Sequence, residues 1–597
     1  LSLVGSEMCI RDSINTTLRL NYDLSSLLTK GLSVHGSIAY DSYYYSRKKY
    51  SKTFPYYLAR RDAEDPDYIY LIPQSEESIW SVSTGWDKNR KVYMEFGIDY
   101  NRTFGLHKTT ALILYNQSKY YSPSLQYYVP NAYQGLVGRL TYEYASRYLA
   151  EFNMGYNGTE NFAKGKRFGF FPAVSLGWVI SEEKFFPKNN IVKYLKVRGS
   201  YGEVGNDQIG GDRFLYLPSS YGAASDSGVN KYNFGLASNP YTSLMIVENK
   251  IGNPDLTWEK AKKMNVGVDI NLFNNCLTAS FDIFKEKRNN ILANRSTSPM
   301  IIGANLPAYN FGEMENRGWE MDLNFRHHIQ DFHYWARFNY SFARNEIIYM
   351  DEVQKRYDYQ MTTGRRKNQF FGLIFDGYYN SWEEINALDR PKSSWSGNQL
   401  QPGDVKYVDV NRDGVIDDYD MVPIGYTPVP EIIYGFSFGA QYKGFDFSIL
   451  FQGADNVSIK YFGRSMWPFA KGEESAKSLI KERWTQERYE AGEKITFPRL
   501  SLNPNGETDH NYRPSTLWIR DASYLRLKNL EVGYTFTGGF VKRLNLNSVR
   551  LYFNGSNLFT WTDVVDLDPE APSRSGNVEI NTYPLQKVYN IGLNINF

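Results

Sequence analysis

Along much of the chain, apolar and polar residues alternate one for one. At the C-terminus Tyr589, Ile591, Leu593, Ile595 and Phe597 fall on one side of a period-two pattern, and Asn590, Gly592, Asn594 and Asn596 on the other. Leu277, Ala279, Phe281 and Ile283 are set against Thr278, Ser280 and Asp282 in the same way, and Leu195, Val197 and Tyr201 against Lys196, Arg198 and Ser200. Successive strand side chains point to opposite faces, so these runs predict strands with one apolar and one polar face. A length of about ten residues is that of a tilted strand crossing a bilayer.

The connections predicted between such strands fall into two alternating classes. Short ones include Arg102–Thr109, Asn271–Cys276, Tyr442–Gly444 and Thr537–Ser548; long ones include Ser46–Asn89, Glu203–Lys262, Ile347–Glu431 and Gly453–Asp521. Outer-membrane barrels have short periplasmic turns and long extracellular loops, whereas a soluble sandwich has no reason to sort its loops this way. The expected fold is all-β: a transmembrane antiparallel β-barrel with long extracellular loops, of which roughly 17 strands are present. With the last strand ending in the periplasm, the first, near Ile14, runs downward, and an odd number of strands is expected upstream to complete an even barrel. Until then two strand edges would lack partners that lipid cannot supply. One strand breaks its alternation: Leu525 and Leu527 share a face, then Leu530, Val532 and Tyr534 take over the apolar phase. A bulge near Lys528 and Asn529 is expected, the alternative being apolar residues on both faces.

Composition narrows the picture. The 597 residues carry a net charge of +2, so a broad basic nucleic-acid surface is not expected. Aromatics make up 16% of the chain, with 49 Tyr, a load that needs either a very large core or a long apolar–polar boundary. Mean hydropathy is −0.50, and no apolar run is long enough for a membrane helix, which leaves a barrel open. The opening residues, LSLVGSEMCIRDS, share no character with the chain behind them. They are read as a non-native, adapter-like leader over 1–13, with an N-terminally truncated barrel over 14–597.

Candidate chemistry is sparse. Asp409, Asn411, Asp413, Val415, Asp417 and Asp420 stand at positions 1, 3, 5, 7, 9 and 12 of a calcium-loop pattern, with Gly414 at the sharp turn. Calcium needs about six to eight oxygens, which only a loop curled around the ion can deliver from so short a segment. The closing Asp in place of Glu shortens the reach, and no helices flank the loop. Bound Ca2+ would therefore stiffen an extracellular excursion rather than act as a switch; the bland reading is an ion-free Asp-rich turn. Tyr43, Tyr44 and Tyr45, expected to end a strand at the outer rim, and Tyr120, Tyr121, Tyr127 and Tyr128 could stack sugars or pack peptides, but an interfacial aromatic girdle is the commoner role. His327, His328 and His333 read as a solvated turn, and Cys9 and Cys276 fit no disulfide framework or metal motif. No nucleophile elbow, zinc-protease helix or phosphate loop is found, so an enzyme is not expected.

Several separated stretches resemble the SusC/RagA family of TonB-linked outer-membrane proteins. They are Asn253–Glu259 followed by Asn265–Asp269, Gly312–Glu320, Phe168–Trp178, Pro402–Asp409 with the Asp-rich loop and Pro423–Gly425, and Asp521–Asn529 followed by Gly533 and Tyr534. The resemblance covers nearly everything from Ile14 to Phe597. It implies a 22-stranded barrel in the bacterial outer membrane, an N-terminal plug that this chain does not carry, and contact with the TonB complex through that missing part. It further implies a SusD-like surface lipoprotein as lid and import of oligosaccharides or peptides. Family members commonly end in an aromatic residue read by the barrel-assembly machinery, the role this assigns to Phe597. The alternative is a passive outer-membrane porin or a surface adhesin.

Overall fold

The computed structural model describes residues 3–61, 65, 67–208, 213–218, 222–223, 231–236, 241–244, 246–247, 251–297, 306–395, 400–461, 467–469, 478–501, 509–565, 567–570 and 585–597. Parts of the connections expected at Ser46–Asn89, Glu203–Lys262, Ile347–Glu431 and Gly453–Asp521 lie outside them. Seventeen strands belong to one sheet. The chain forms two compact units: 1–174, 203–258 and 304–307 in the first, and 175–202, 259–303 and 308–597 in the second.

In the first unit β1 (Leu3–Asp23), β2 (Leu32–Thr53), β3 (Ser81–Phe104), β4 (His107–Tyr121), β5 (Asn131–Tyr144) and β6 (Tyr148–Thr159) pair in sequence order, each antiparallel to the next. Two further strands, β7 (Phe168–Val179) and β8 (Val192–Asn206), have residues in both units. In the second unit a meander follows: β9 (Glu259–Leu272), β10 (Leu277–Ala293), β11 (Tyr309–Ile329), β12 (Phe332–Tyr349), β13 (Ile432–Tyr442), β14 (Phe445–Asp455), β15 (Tyr524–Phe536), β16 (Ser548–Thr562) and β17 (Val588–Asn596). Residues 3–13 form the first half of β1, in register with β2.

The alternation of the sequence becomes two faces. Ile591 of β17 is 81% exposed and Ile283 of β10 is 55% exposed, as are Ile14, Leu18 and Leu20 along β1. Transferring such side chains from water to hydrocarbon is worth about 1.5–3 kcal/mol each. On the opposite face Arg198 of β8 bridges Asp269 of β9 at 3.1 Å and Asp282 of β10 at 2.7 Å.

Connections keep their two classes. Residues 105–106, 273–276, 330–331 and 443–444 make tight turns, while 54–80, 207–258, 350–431, 456–523 and 563–587 are long. The strands, however, outrun the expected ten residues, and β3 has 24. At ~3.3 Å per residue that is about 80 Å, well beyond a ~30 Å hydrocarbon layer even when tilted. Hydrogen-bonded hairpins thus continue outside the bilayer, where the side chains turn polar. Tyr43, Tyr44 and Tyr45 accordingly lie in mid-strand on β2, correcting their placement at a strand end. His327 and His328 lie at the end of β11 and His333 on β12, with the 328 and 333 rings stacked at 5.5 Å; only 330–331 form the turn. The slip at Lys528 is present: Leu450 faces Asn529 and Phe451 faces Leu527, with Lys528 unpaired between them.

Candidate functional site

The long connections of the second unit do not lie open. The described residues of 350–431 and 456–523 fold into a module with its own core, which includes Leu373, Val405, Trp484, Phe497, Tyr512 and Trp518. Short ladders frame it: Phe375–Tyr378 pairs with Val405–Tyr407, and Ser458–Lys460 with Ile519–Asp521. A helix, Trp382–Asn386, starts at Ser381, whose hydroxyl accepts from the Glu384 amide.

A buried polar knot ties the module together. Asp404, 3% exposed, pairs with Arg499 at 2.6 Å and accepts from Asn511 Nδ2 at 2.8 Å. Asn511 Oδ1 accepts from the Val405 amide, and His510 Nε2 meets the Val405 carbonyl at 2.8 Å. Burial pushes the His510 imidazole below its usual range, against the pull of Asp404 and Asp509 and with that of Arg513. Gly403 has φ +94°, and a Cβ there would fall 2.5 Å from the Trp484 ring. The Pro402–Asp409 stretch is therefore a folding motif of the module. No spacing rule could have announced it, because Asp404 and Arg499 lie far apart in sequence.

Two further ionic clasps fix loops to strands. Glu431 is held between Arg344 at 2.8 Å and Arg366. Arg526 of β15, 2% exposed, pairs with Asp568 at 2.7 Å and with Glu570, while Tyr524 donates to Glu570 at 2.7 Å. In the first unit two of the resemblance stretches pack on each other. Trp258 of Asn253–Glu259 meets Phe171 of Phe168–Trp178 edge-on at 5.3 Å, and its indole N–H donates to the Arg167 carbonyl.

The Asp-rich loop closes largely on its own backbone. Asp409 accepts from the Arg412 and Gly414 amides, Asn411 from Asp413, Asp413 from Val415 and Asp417 from Tyr419. Asp420 is fully buried and accepts from Val410 and Asp417. Burial raises its carboxyl above the usual range despite these bonds. The side-chain donors are the hard oxygens calcium takes, but among the described residues no three acidic, histidine or cysteine groups converge on one point. Phe597 is exposed, and its carbonyl accepts from Asn547 Nδ2 at 2.5 Å.

Of the seven predicted tyrosines the structure brings Tyr43, Tyr44, Tyr121 and Tyr128 together and leaves Tyr45, Tyr120 and Tyr127 outside the cleft they line. This cleft of about 450 Å³ in the first unit is lined by Tyr40, Tyr44, Lys88, Arg90, Tyr121 and Tyr128. Tyr40 and Tyr44 share the face of Ile38, so the cleft opens on the apolar side of the sheet, as a girdle would.

Comparison with known proteins agrees with this architecture. Residues 7–558 match the family described as TonB dependent receptor-like, beta-barrel, and the chain belongs to that family. TonB-dependent receptor P3 of Formosa agariphila is 28% identical over 479 residues, 77% of this chain and 45% of the relative. TonB-dependent receptor SusC of Bacteroides thetaiotaomicron is 28% identical over 477 residues, 79% of this chain and 44% of the relative. The chain thus spans under half the length of these relatives. A solved structure titled "Structure of the RagAB peptide importer in the 'open-open' state" superposes with a TM-score of 0.73 at 20% identity, covering 100% of this chain and 62% of that one. The SusC/RagA resemblance stands, and the protein is an outer-membrane β-barrel.

Proposed function

We propose that this chain is the barrel portion of a TonB-dependent outer-membrane transporter that imports oligosaccharides or peptides together with a SusD-like lid lipoprotein. The observation that carries this reading is the folded loop module. A passive pore needs no such module, whereas a receptor needs a rigid outer surface on which to hold a bulky substrate and seat a lid. Membership of the receptor family and the relatives called SusC and RagAB support it. TonB contact would fall to a plug upstream of this chain, and barrel assembly would read the terminal Phe597. Calcium in the Asp409–Asp420 loop is part of the same proposal, on donor chemistry alone.

The test is growth and uptake. A strain lacking the complete gene is supplied with single oligosaccharides or peptides as its only carbon source. Growth should fail on one class, and uptake should stop when TonB is removed. Unimpaired growth on every substrate removes the reading, and uptake that persists without TonB replaces it with a passive porin.

A further inference from the structure

The cleft lined by tyrosines opens toward lipid, and among the described residues its cations, Lys88 and Arg90, form no ion pair. On the apolar face of the first unit, Ile38 stands level with Met94, Tyr40 with Val92, Ser42 with Arg90 and Tyr44 with Lys88. On the next strand Phe96 is level with Tyr115, Val92 with Lys119 and Arg90 with Tyr121. The face therefore changes character within two residues. Below lie Ile38, Met94, Phe96, Ile98 and Ile113, all exposed; above them come Lys88, Arg90 and Lys119 among tyrosines. This end of the strands leads into the long 54–80 connection, so it faces the outside of the cell.

The cations are held by rings rather than by acids. Arg90 lies 4.6 Å from the centre of the Tyr121 ring and Lys88 5.3 Å from that of Trp86. Among the described residues none of Lys88, Arg90 and Lys119 forms an ion pair; Asp12 stands level with Tyr44, a strand farther from Lys88. Residues two apart on a strand are about 7 Å apart, and strands about 4.8 Å apart. Neighbouring charges in this row thus sit about 7–8 Å apart, and Lys88 and Lys119 at its two ends about 14 Å apart. A second cleft of about 250 Å³ continues past Lys119 toward Gln134 and Arg167, with Glu160, paired to Arg213, also in its lining.

We infer that this face is a binding site for a phosphorylated glycolipid of the outer leaflet. Its phosphate sits against Lys88 and Arg90 in the cleft, with Lys119 farther along the row for a second anionic group, its sugar packs on Tyr44, Tyr121 and Tyr128, and its chains run down the Ile38–Phe96 stripe. Unpaired basic residues at the top of an apolar stripe are complementary to an anionic headgroup joined to acyl chains. A free anion would use the cations and leave the stripe unused. The inference rests on the outer-membrane location and not on what is transported.

The probe is bisphosphoryl lipid A, offered in phosphatidylcholine nanodiscs holding the protein, beside its dephosphorylated form. Lipid retained is read by native mass spectrometry. The phosphorylated form should be retained on the order of tenfold more, and the preference should fall with rising salt. Lys88→Gln with Arg90→Gln should abolish the preference, while Lys542→Gln with Arg543→Gln, far along the chain, should leave it intact. Equal retention of the two lipids, a preference indifferent to salt, or competition by inorganic phosphate at equal concentration would each overturn the inference. The salt series on the unaltered protein decides the matter even if a variant fails to fold.

Discussion

The guanidinium of Arg526 on β15 and the carboxylate of Asp568 in the last long connection meet at 2.7 Å, with only 2% and 10% of their side chains exposed. Removing one partner of an isolated buried pair costs about 3–5 kcal/mol, because the other is left charged and dry; Arg526 keeps Glu570 as a second carboxylate partner, so the loss here is smaller. Asp568→Ala should therefore loosen the 563–587 connection and lower the unfolding midpoint of the purified barrel by several degrees. Arg526→Met combined with Asp568→Leu and Glu570→Gln, which leaves no carboxylate without its guanidinium, should recover much of the loss. Burial alone would push Asp568 up, yet Arg526 and two backbone amides hold it below the usual carboxylate range. Its contribution is present above about pH 3.9 and is lost on further acidification. Limited proteolysis across an acid series reads this directly; a connection equally protected in the Asp568→Ala protein would remove the claim.

His510 should make the loop module sensitive to mild acid. Its folded pKa is depressed by burial, so the neutral ring is favoured in the fold. Stability from this group is complete above about pH 6.5 and declines as the pH falls below that value. Hydrogen exchange in 400–420 and 509–520 should accelerate between about pH 7 and pH 5, and His510→Gln should flatten that dependence. The same slope in both proteins would show that another group is responsible.

Calcium is tested by isothermal titration of the refolded protein, with and without Asp413→Ala. Binding by the unaltered chain at micromolar to millimolar concentration is expected, with a loss of at least about tenfold in the variant. Heat that is absent in both, or identical in both, leaves the loop as a backbone-capped turn.

Orientation follows from the loop classes. Leu388 is fully exposed within the 350–431 connection. Leu388→Cys, in a background with Cys9 and Cys276 replaced by Ser, should react with a membrane-impermeant maleimide on whole cells. Labelling only after lysis would turn the barrel over.

The wall of the molecule was legible in the sequence because strand pairing leaves a local trace. Ile591 and Ile283 lie on exposed faces in the alternation that predicts them, and Lys528 is left unpaired where the apolar phase slips. The module was not legible. Its ladders are two to four residues long, too short for a period to show, and its core joins Val405 to Trp518 across more than a hundred residues. The Asp404–Arg499 and Arg526–Asp568 pairs are long-range partners with no local mark. Tyr43 to Tyr45 were misplaced because pairing runs beyond the bilayer, where hydrophobic alternation no longer signals it. The Asp-rich loop shows a recognisable order of donors, but that order does not say whether the oxygens will serve an ion or the loop's own amides.

The chain leaves β12 and returns at β13 beside its point of departure, where the Ala343 amide donates to the Glu431 carbonyl at 2.8 Å. The intervening stretch is thus a cassette hung from a closed hairpin. Lengthening it adds to the closure entropy only logarithmically, by about 0.6 kcal/mol per doubling. Insertions in its outer turns can therefore accumulate while the ladder beneath stays in register, whereas Val405, packed in one core with Trp518 of 456–523, ties the rest of the cassette to its neighbour, so that the two long connections must change in step.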